Sequence, residues 1–532
     1  MMPQILQNTF LLCLGTLGFL KASYASPTKP AGLIDLGYAK HIPTYVNTTE
    51  SGRNISVYKN IRFANSPTGD LRFRLPDTNI TDIEGVQDGN FPPATFDCIS
   101  SAPKEAPFPP LNGTTWGQED CLFLDVYVPD NVKPGDSVPV LHFFVGSGFA
   151  FGSKDIFVLP NGLFDVTDDE NKFIFVANNY RLGIPGWSYL PGEDMVANAG
   201  MHDCLAAAEW TSKYISRFGG DPDRITAMGH SAGAGIIGLS TVLNGGKGTP
   251  PPYKQAVVAS PAIPPRRNVL DRQKKLFQTI VSQANCTSLE CLRSVPEDTI
   301  ASINNHFINQ VKSDAGGGLF GPSPGFGPTV DFEYIPDMPQ ILFEQGKYHK
   351  TFTSLIVGNT ANEGMGISSD LDDIDGGFRT LVRQIFTTAS NETIEYIQSH
   401  YDYAENPAKL AWDWTTDVIF GCNAANIASA FKDVASRYLF SAPPATHGQD
   451  MLYFFYIDQN NTPVEKPGDA KAYQKNLLEF VYGREIDWPV LGDSKQITNM
   501  TGDGYGTVAL PEDLEARCKM VNEISQDPEN GV

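Results

Sequence analysis

One serine of this 532-residue chain stands in a pattern that predicts nucleophilic chemistry. Ser231 is the centre of Gly229-His230-Ser231-Ala232-Gly233, which has the form G-x-S-x-G. A serine hydroxyl attacks an acyl carbon only when a neighbouring base accepts its proton and an acid orients that base. The two glycines allow a strand and a helix to approach closely around a sharp turn that exposes the hydroxyl. The pattern therefore predicts acyl chemistry at Ser231.

The flanking residues predict the strand and the helix that such a turn requires. Ile225 to Met228 form a short apolar run typical of a buried strand, and Ala234 to Leu243 are apolar enough for a buried helix. Because the chain contains 49 glycines, a G-x-S-x-G pattern can also occur by chance. The strand and helix around it are what support the interpretation.

Other segments predict a largely parallel sheet. Val140 to Val145 and Phe173 to Ala177 are continuous apolar runs of the kind found in central parallel strands. Leu122 to Val128 alternates aliphatic with other residues, which is typical of a strand with one aliphatic face. Strands that alternate with helical segments predict βαβ units, and hence an α/β fold around a mixed, largely parallel sheet.

The stretch FGGDPDRITAMGHSAG, residues 218–233, resembles the type-B carboxylesterase and lipase family, which includes the cholinesterases. That family has F-G-G-D-P, a hydrophobic strand and G-E-S-A-G, so His230 replaces the usual glutamate and Ala227 a larger strand residue. Similar blocks are EDCLFLDVYVP at residues 119–129, NYR at 179–181 and NAG at 198–200. They extend the resemblance over nearly the whole mature chain. It implies an α/β-hydrolase fold, with helices flanking the sheet, and no metal or organic cofactor.

The resemblance also implies the acid and the oxyanion hole. The segment LIVGNTANEG, residues 355–364, resembles the family's strand followed by G-x-x-x-x-E-G, which makes Glu363 the expected acid. The segment VGSGF, residues 145–149, stands where the family has x-G-G-G-F. Oxyanion-hole donors are commonly backbone amides. We expect them here from Ser147, Gly148 and Ala232.

For the base, the resemblance leaves two alignments. In the first, Thr446-His447-Gly448-Gln449-Asp450 matches the family's H-G-x-[ED], and His447 is the base. His447 closely precedes Met451 to Ile457, an apolar run that we expect to be a strand. Catalytic groups of open α/β sheets gather at the carboxyl ends of strands, so a base at the amino end would face away from Ser231.

In the second alignment, QKNLLEFVYG, residues 474–483, stands on the family's H-G-x-E-L-x-Y-V-F-G and puts Gln474 at the base position. We favour it because it fits both the sheet polarity and the downstream F-V-Y-G. Glutamine cannot accept a proton, although its amide can hold the position by hydrogen bonds. His230 is expected to pack in the pocket wall, with service as a substitute base as its alternative, and His400 is expected at the surface.

The N-terminus predicts secretion. Thr9 to Leu20 form an apolar run too short to span a bilayer, and Ala22-Ser23-Tyr24-Ala25 suits cleavage after Ala25. Residues 1–25 are therefore expected to be a signal peptide, and residues 26–532 a single α/β-hydrolase domain with no transmembrane segment. N-glycosylation sequons, which suit a secreted protein, begin at Asn47, Asn54, Asn79, Asn112, Asn285, Asn391, Asn460 and Asn499.

Secretion into an oxidising compartment makes disulfides expected. Of eight cysteines, Cys13 leaves with the signal peptide, so an odd number remains and at least one lacks an intrachain partner. Cys204 lies in an Ala-rich helical run and is expected to be a small buried residue. The family resemblance implies the pairs Cys98 with Cys121, Cys286 with Cys291, and Cys422 with Cys518.

The composition restricts the partners of the protein. A formal charge of -22 and a pI near 4.7 argue against binding to nucleic acids or anionic membranes, which requires basic patches. With the resemblance, the chain is expected to be a secreted serine carboxylic ester hydrolase that acts on a small-molecule ester. One alternative is a biosynthetic enzyme on the same fold, an acyltransferase, lactonase or cyclase. The other is a non-catalytic esterase-like binding protein, for which Gln474 is the main argument.

Overall fold

One large sheet organises the part of the chain that the computed structural model describes. That part comprises residues 32–90, 96–104, 111–146, 148–156, 158–168, 170–267, 270–310, 317–318, 321–322, 325–368 and 377–532. The expected signal peptide therefore lies outside the described residues, and its cleavage remains a prediction. No helix of the described ranges is both long and apolar enough to cross a bilayer.

The large sheet has eleven strands in the described ranges. In chain order they are β1 (Tyr45–Thr48), β2 (Asn54–Arg62), β3 (Phe123–Pro129), β4 (Val138–Phe144), β5 (Ile174–Asn178), β6 (Gly220–His230), β7 (Gln255–Ala259), β8 (Ser354–Thr360), β9 (Ala435–Phe440), β10 (Gln496–Thr501) and β11 (Gly504–Ala509). Across the sheet the order is β11-β10-β9-β8-β7-β6-β4-β5-β3-β2-β1.

The central part of this sheet is parallel. Every pairing from β10 across to β5 is parallel, while β11 at one edge and β3, β2 and β1 at the other pair antiparallel. All residues of β4 and of β5 are buried, as expected for parallel strands covered on both faces. The predicted α/β fold with a mixed, largely parallel sheet is confirmed.

Helices cover the sheet. They are α1 (Asn161–Asp165), α2 (Gly183–Trp187), α3 (Ala199–Tyr214), α4 (Ala232–Ser240), α5 (Leu270–Gln283), α6 (Leu289–Ser294), α7 (Glu297–Asn309), α8 (Pro339–Glu344), α9 (Gly377–Ile385), α10 (Asn391–Gln398), α11 (Ala408–Thr415), α12 (Cys422–Ala430), α13 (Gln449–Phe454), α14 (Pro467–Val481) and α15 (Glu512–Gln526). A π-helical turn, Thr416–Gly421, joins α11 to α12.

Short elements lie outside the main sheet. A small three-stranded sheet is formed by Ile34–Asp35, Lys40–His41 and Val86–Gln87. Two-stranded ladders pair Ser100–Ser101 with Thr115–Trp116, and Gly317–Gly318 with Gly321–Pro322. Short 3-10 turns are at Gly69–Leu71, Ile215–Phe218, Leu243–Gly245 and Pro528–Asn530.

One predicted strand is wrong. The apolar run 451–457 does not enter the sheet, because Gln449–Phe454 forms helix α13, and α13 packs against α14. The parallel neighbour of β8 is β9, whose residues Tyr438 and Phe440 are fully buried. The sequence of a short apolar run fits a buried helix as well as a buried strand. Here the run 451–457 is not a strand because Ala435–Phe440 already pairs with β8.

Three disulfides lie in the described part of the chain. The pairs are Cys98 with Cys121, Cys286 with Cys291, and Cys422 with Cys518, the same pairs that the family resemblance implied. The last pair links the start of α12 to α15 over a sequence separation of 96 residues. Cys204 is free and buried in α3.

The sequons differ in their accessibility. The asparagines at 79, 112, 285, 391 and 460 are exposed, while those at 47, 54 and 499 are partly buried. Asn499 lies within β10, and its side-chain oxygen accepts a hydrogen bond of 2.6 Å from Ser441. Glycosylation at each of these positions remains a prediction.

Candidate active site

Ser231 occupies a sharp turn between β6 and α4. Its φ of 56° and ψ of -121° lie outside the regions that L-residues normally adopt. A Cβ on Gly229 would lie 2.5 Å from the backbone of Gly233, and a Cβ on Gly233 would lie 2.0 Å from the carbonyl oxygen of Phe144. Both glycines of the pentapeptide are therefore required by close backbone approach, as the sequence predicted.

Backbone hydrogen bonds hold this strained residue. The Ser231 amide donates to the Ala259 carbonyl at the end of β7 over 3.0 Å. The Ser231 carbonyl accepts from the amides of Gly235 at 2.9 Å and Ala262 at 3.0 Å. Strained conformations persist only where the surroundings over-determine them. These bonds supply that constraint and fix the hydroxyl above the carboxyl end of the sheet.

The Ser231 hydroxyl lies within hydrogen-bond distance of His447. The distance from Ser231 Oγ to His447 Nε2 is 2.9 Å, and that from His447 Nδ1 to Glu363 Oε2 is 2.5 Å. With Nδ1 donating to the carboxylate, Nε2 is free to accept the hydroxyl proton. Serine, imidazole and carboxylate thus form one continuous hydrogen-bonded series.

Glu363 is fully buried just beyond the end of β8. Its second oxygen, Oε1, accepts a 2.6 Å hydrogen bond from the Thr360 amide. The next amide, Gly364 N, donates to the Thr416 hydroxyl of the π-helical turn at 3.0 Å. Contacts on both sides of the carboxylate therefore hold it towards His447.

His447 follows the carboxyl end of β9, and this explains its position. The Ala361 amide donates to Phe440 at the end of β9, and the Asn362 amide donates to Ala445, each bond 2.9 Å or shorter. The loop after β9 therefore runs beside the loop that carries Glu363. The rule that catalytic groups lie at carboxyl ends holds here, because β9 is the relevant strand and 451–457 is not.

Gln474 lies elsewhere, and its prediction as the base position is wrong. It is buried in α14, where Nε2 donates to the carbonyls of Tyr456 at 2.7 Å and Phe454 at 3.3 Å. Its amide joins α14 to the end of α13. The favoured alignment failed because it rested on the strand assignment for 451–457, and the first alignment, with His447, agrees with the structure.

His230 packs beside the imidazole of His447. The centres of the two rings are 4.7 Å apart. The ring of Phe420, a residue of the π-helical turn, packs with its centre 4.5 Å from that of His447. Burial, together with the neighbouring His447, lowers the pKa of His230 well below its usual value. A neutral ring in the wall of the site agrees with the expectation for His230. His400 is partly buried just after α10, and its ring lies within hydrogen-bond distance of the Tyr396 carbonyl and the Ser399 hydroxyl.

Gly146, in the segment expected to form the oxyanion hole, lies directly against Ser231. A Cβ on Gly146 would lie 2.7 Å from the His230 carbonyl oxygen and 3.0 Å from the Cβ of Ser231. Gly148 has a φ of 61°, and Ala232 is the first residue of α4, where amides lack helical acceptors. Ser147 lies outside the described residues. The donor roles of Gly148 and Ala232 stay predictions.

A second buried acid lies behind the site. Asp450, in α13, accepts a 2.7 Å hydrogen bond from the Tyr438 hydroxyl of β9. Burial, and then the negative charge of Glu363, raise the pKa of Asp450 to about 7. The sequence carried a signal for this residue, since it is the acidic position of the H-G-x-[ED] match. No group of three or more His, Cys, Asp or Glu in the described ranges is arranged to hold a metal ion.

Comparison with known proteins gives relatives over most of the chain. The model of the Carboxylesterase family matches residues 44–493. Carboxylesterase patB of Aspergillus clavatus is 30% identical, over 92% of this chain and 96% of that protein. A secreted lipase of Arthroderma benhamiae is 30% identical, over 77% and 83%. The crystal structure of Aspergillus niger EstA has the same fold, with a TM-score of 0.77 at 23% identity over 93% of this chain and 98% of that one.

Proposed function

The chain belongs to the carboxylesterase family, and we propose that it is a secreted serine hydrolase of carboxylic esters with Ser231 as nucleophile, His447 as general base and Glu363 as acid. The observation that carries the proposal is the pair of contacts through His447, 2.9 Å to Ser231 and 2.5 Å to Glu363. Two contacts on opposite nitrogens of one imidazole are what proton transfer from a serine requires.

The mechanism follows from this geometry. Ser231 Oγ attacks the ester carbonyl while its proton passes to His447 Nε2, and Glu363 stabilises the resulting imidazolium. The tetrahedral oxyanion accepts hydrogen bonds from backbone amides at Gly148 and Ala232. His447 then returns the proton to the leaving alcohol, which leaves an acyl group on Ser231. Water, activated by the same imidazole, hydrolyses this acyl-enzyme and regenerates the serine.

The first test is active-site labelling of the full-length secreted protein. A fluorophosphonate should label the wild type once, at Ser231, and p-nitrophenyl esters of graded acyl length should be hydrolysed. Ser231→Ala should lose both reactions while keeping its fold by circular dichroism. A label that persists at another serine would contradict the assignment of the nucleophile. A protein that neither labels nor hydrolyses would instead favour the non-catalytic binding role.

Product analysis separates hydrolysis from the biosynthetic alternatives. An acyl-enzyme can pass its acyl group to water, to an alcohol or to a hydroxyl of the same molecule. With an ester substrate in the presence of added alcohols, the proposal expects the free acid as the main product. New esters or lactones as the main product would favour an acyltransferase or cyclase on the same site.

Secretion is the second part of the proposal. Its support is the leader pattern at residues 1–25, the disulfides of the mature chain and a relative that is itself named a secreted lipase. The substrate is proposed to be a small-molecule ester. N-terminal sequencing of the protein from culture medium should begin near Ser26, and retention of residues 1–25 on the secreted protein would contradict cleavage.

A further inference from the structure

Phe149 follows the expected oxyanion donor Gly148 and has a strained backbone. Its φ is 60°, directly after a φ of 61° at Gly148. Glycine adopts such angles readily, whereas a bulky residue with a positive φ is an outlier. Strained residues persist only where their surroundings over-determine them, and they cluster at functional sites. The contacts that hold Phe149 therefore bear on where the Gly148 amide points.

Helix α2 supplies two of these contacts. The Phe149 carbonyl oxygen accepts a 2.8 Å hydrogen bond from the Gly183 amide. The Phe149 ring is 2% exposed and packs edge-to-face on Trp187, with the ring centres 4.9 Å apart. These contacts fix the carbonyl and one part of the ring.

The backbone at Gly327 supplies a third contact. Gly327 has a φ of 138°, and a Cβ there would lie 2.7 Å from Cδ2 and 2.9 Å from Cε2 of the Phe149 ring. Both distances are shorter than van der Waals contact allows. The absence of a side chain at Gly327 therefore lets the main chain press directly against the ring.

Arg266 holds this stretch of backbone in place. It is 5% exposed, and its Nη2 donates to the carbonyls of Gly325 at 2.6 Å and Phe326 at 2.9 Å. A Cβ on Gly327 would also lie 3.0 Å from Arg266 Nη1. The guanidinium thus clamps residues 325–326 and lies beside the contact between Gly327 and Phe149.

A buried guanidinium without a counter-charge lowers the stability of the fold. No carboxylate of the described residues pairs with Arg266, and its Nε is buried without a hydrogen bond. Burial, and then the positive charge of Arg272, lower the pKa of Arg266 to about 9, so it is charged at neutral pH. Fold stability does not account for a charge at this place, which favours a role in the geometry of the site.

Arg266 also ends a segment that is tied to the nucleophile. The Ala262 amide donates to the Ser231 carbonyl at 3.0 Å, and the Ile263 amide donates to a carbonyl of the π-helical turn at 3.1 Å. The Arg266 side chain thus connects the backbone that supports Ser231 with the backbone that presses on Phe149. The nucleophile and the expected oxyanion donor share this support.

We propose that Arg266 is a positioning residue of the oxyanion hole. By clamping residues 325–326 it keeps Gly327 against the Phe149 ring, and so holds the Gly148 amide towards the substrate carbonyl. Arg266 acts through Phe149 and does not touch the reacting atoms. A misplacement of about 1 Å in such a group can lower the rate by about 100-fold. The inference rests on the proposed ester hydrolysis at Ser231.

The test compares full-length Arg266→Met with the wild type, each normalised by fluorophosphonate titration of Ser231. For p-nitrophenyl acetate, butyrate and octanoate, kcat/KM should fall about 10- to 100-fold, by a similar factor for each ester and mainly through kcat. A trifluoromethyl ketone, whose adduct with Ser231 carries an oxyanion, should bind more weakly by a similar factor. Arg266→Lys should recover part of the loss, because an ammonium can still donate to a carbonyl.

The neighbouring arginine is the matched control. Arg267 is paired with Asp337 at 2.9 Å, so Arg267→Met removes a charge from the same segment and should keep the wild-type kcat/KM. Gly327→Ala is an independent variant with Arg266 intact, because its Cβ pushes on the Phe149 ring. It should lower kcat/KM at least about tenfold. It decides the matter if Arg266→Met is not secreted in folded form.

Three results would overturn the proposal. Wild-type kcat/KM in Arg266→Met, even with a lower Tm, would show that Arg266 serves the fold alone. Wild-type kcat/KM in folded Gly327→Ala would show that the Phe149 ring does not transmit the contact. A loss that varies with acyl length, with unchanged affinity for the ketone, would show that the ring shapes the acyl pocket instead. A wild type that hydrolyses none of the esters would contradict the proposed function itself, which separates the two failures.

Discussion

Two residues, His447 and Gln474, were the candidates for the base position, and their contacts separate them. His447 touches both Ser231 and Glu363, while Gln474 bonds to backbone carbonyls that join α13 and α14. Only an imidazole can accept a proton at neutral pH and return it to the leaving group. The chemistry and the geometry therefore both support the proposed role of His447.

Replacing His447 should remove the activation of Ser231. We expect His447→Gln to lower kcat for p-nitrophenyl esters by about 10⁶-fold, the cost typical of losing such a base. Gln474→His should leave kcat unchanged within a few-fold, provided that the protein folds, because the helix position is remote from the nucleophile. Steady-state kinetics on both variants, with circular dichroism, are the measurement. The opposite pattern would restore the alignment on Gln474.

His230 sets the charge next to the proposed base. Its neutral ring lies 4.7 Å from that of His447. In the pattern G-E-S-A-G, which this segment resembles, a glutamate stands at this position. In His230→Glu, a negative charge at this distance favours the protonated imidazole, so activity should be lost at a higher pH. We expect the acidic limb of kcat/KM to move upward by about one pH unit.

His230→Gln is the neutral control for this change. It should leave the acidic limb in place even if kcat falls. The pH dependence of kcat/KM between pH 4 and 8 measures both variants. An acidic limb that is identical in His230→Glu and in the wild type would show that position 230 does not act on the base.

Among the elements, the π-helical turn Thr416–Gly421 contacts both the loop that carries Glu363 and the ring of His447. Its first residue accepts a hydrogen bond from Gly364, and its Phe420 ring packs on His447. The residue after the turn, Cys422, is bonded to Cys518 of α15. The disulfide thus anchors the element that contacts both Gly364 and His447, and we expect its loss to affect both stability and catalysis.

Removing that disulfide should destabilise the protein and loosen the site. The sequence separation of 96 residues corresponds to about 4 to 5 kcal/mol in the chain-entropy model. The double variant Cys422→Ser/Cys518→Ser should therefore have a clearly lower Tm and a lower kcat.

The pair Cys286 and Cys291, with a separation of 5, is the comparison, at about 2 kcal/mol. Thermal unfolding of both double variants ranks the bridges, and non-reducing peptide mapping checks the pairs. A disulfide peptide that contains Cys204 would contradict them.

At the scale of the whole molecule, buried titratable groups make stability depend on pH. Burial lowers the pKa of His41 and of His142 to about 4. Both stay neutral in the native state, while the unfolded chain binds protons below about pH 6.5. Their contribution to stability is therefore present above pH 6.5 and lost as the pH falls towards 4.

Buried carboxylates act in the opposite direction. Burial, as the main cause, raises the pKa of Asp417 to about 6 and that of Asp450 to about 7. In the native state these two carboxyl groups keep their protons at pH values where ordinary carboxyl groups have already lost theirs. Their contribution is present at low pH and is lost as the pH rises from about 4 to 7. The pH dependence of the free energy of unfolding is the sum of these opposing contributions. Replacing a single titratable residue is therefore a sharper test than the stability profile of the wild type alone.

His142 offers that comparison. It is fully buried between Asn178, at 2.9 Å, and Thr211, at 3.1 Å. His142→Gln should make the free energy of unfolding less dependent on pH between 4.5 and 6.5, by up to about 1.4 kcal/mol per pH unit.

Thr211→Val is the control, because it breaks the same contact but keeps the imidazole, so its pH slope should match the wild type. Chemical denaturation at several pH values measures the slopes. Equal slopes in His142→Gln and the wild type would show that His142 does not titrate on unfolding.

Local patterns in the sequence predicted the elbow at Ser231 and the parallel strands, because each depends on neighbours along the chain, while Glu363 came from the family resemblance. The tertiary structure decided which residue lies beside Ser231. Whether 451–457 is a strand depends on which segment pairs with β8, a contact between residues about 80 positions apart, such as Thr360 and Phe440. The run Ala435–Phe440 takes that place, and His447 at its carboxyl end is thereby brought to Glu363 and Ser231.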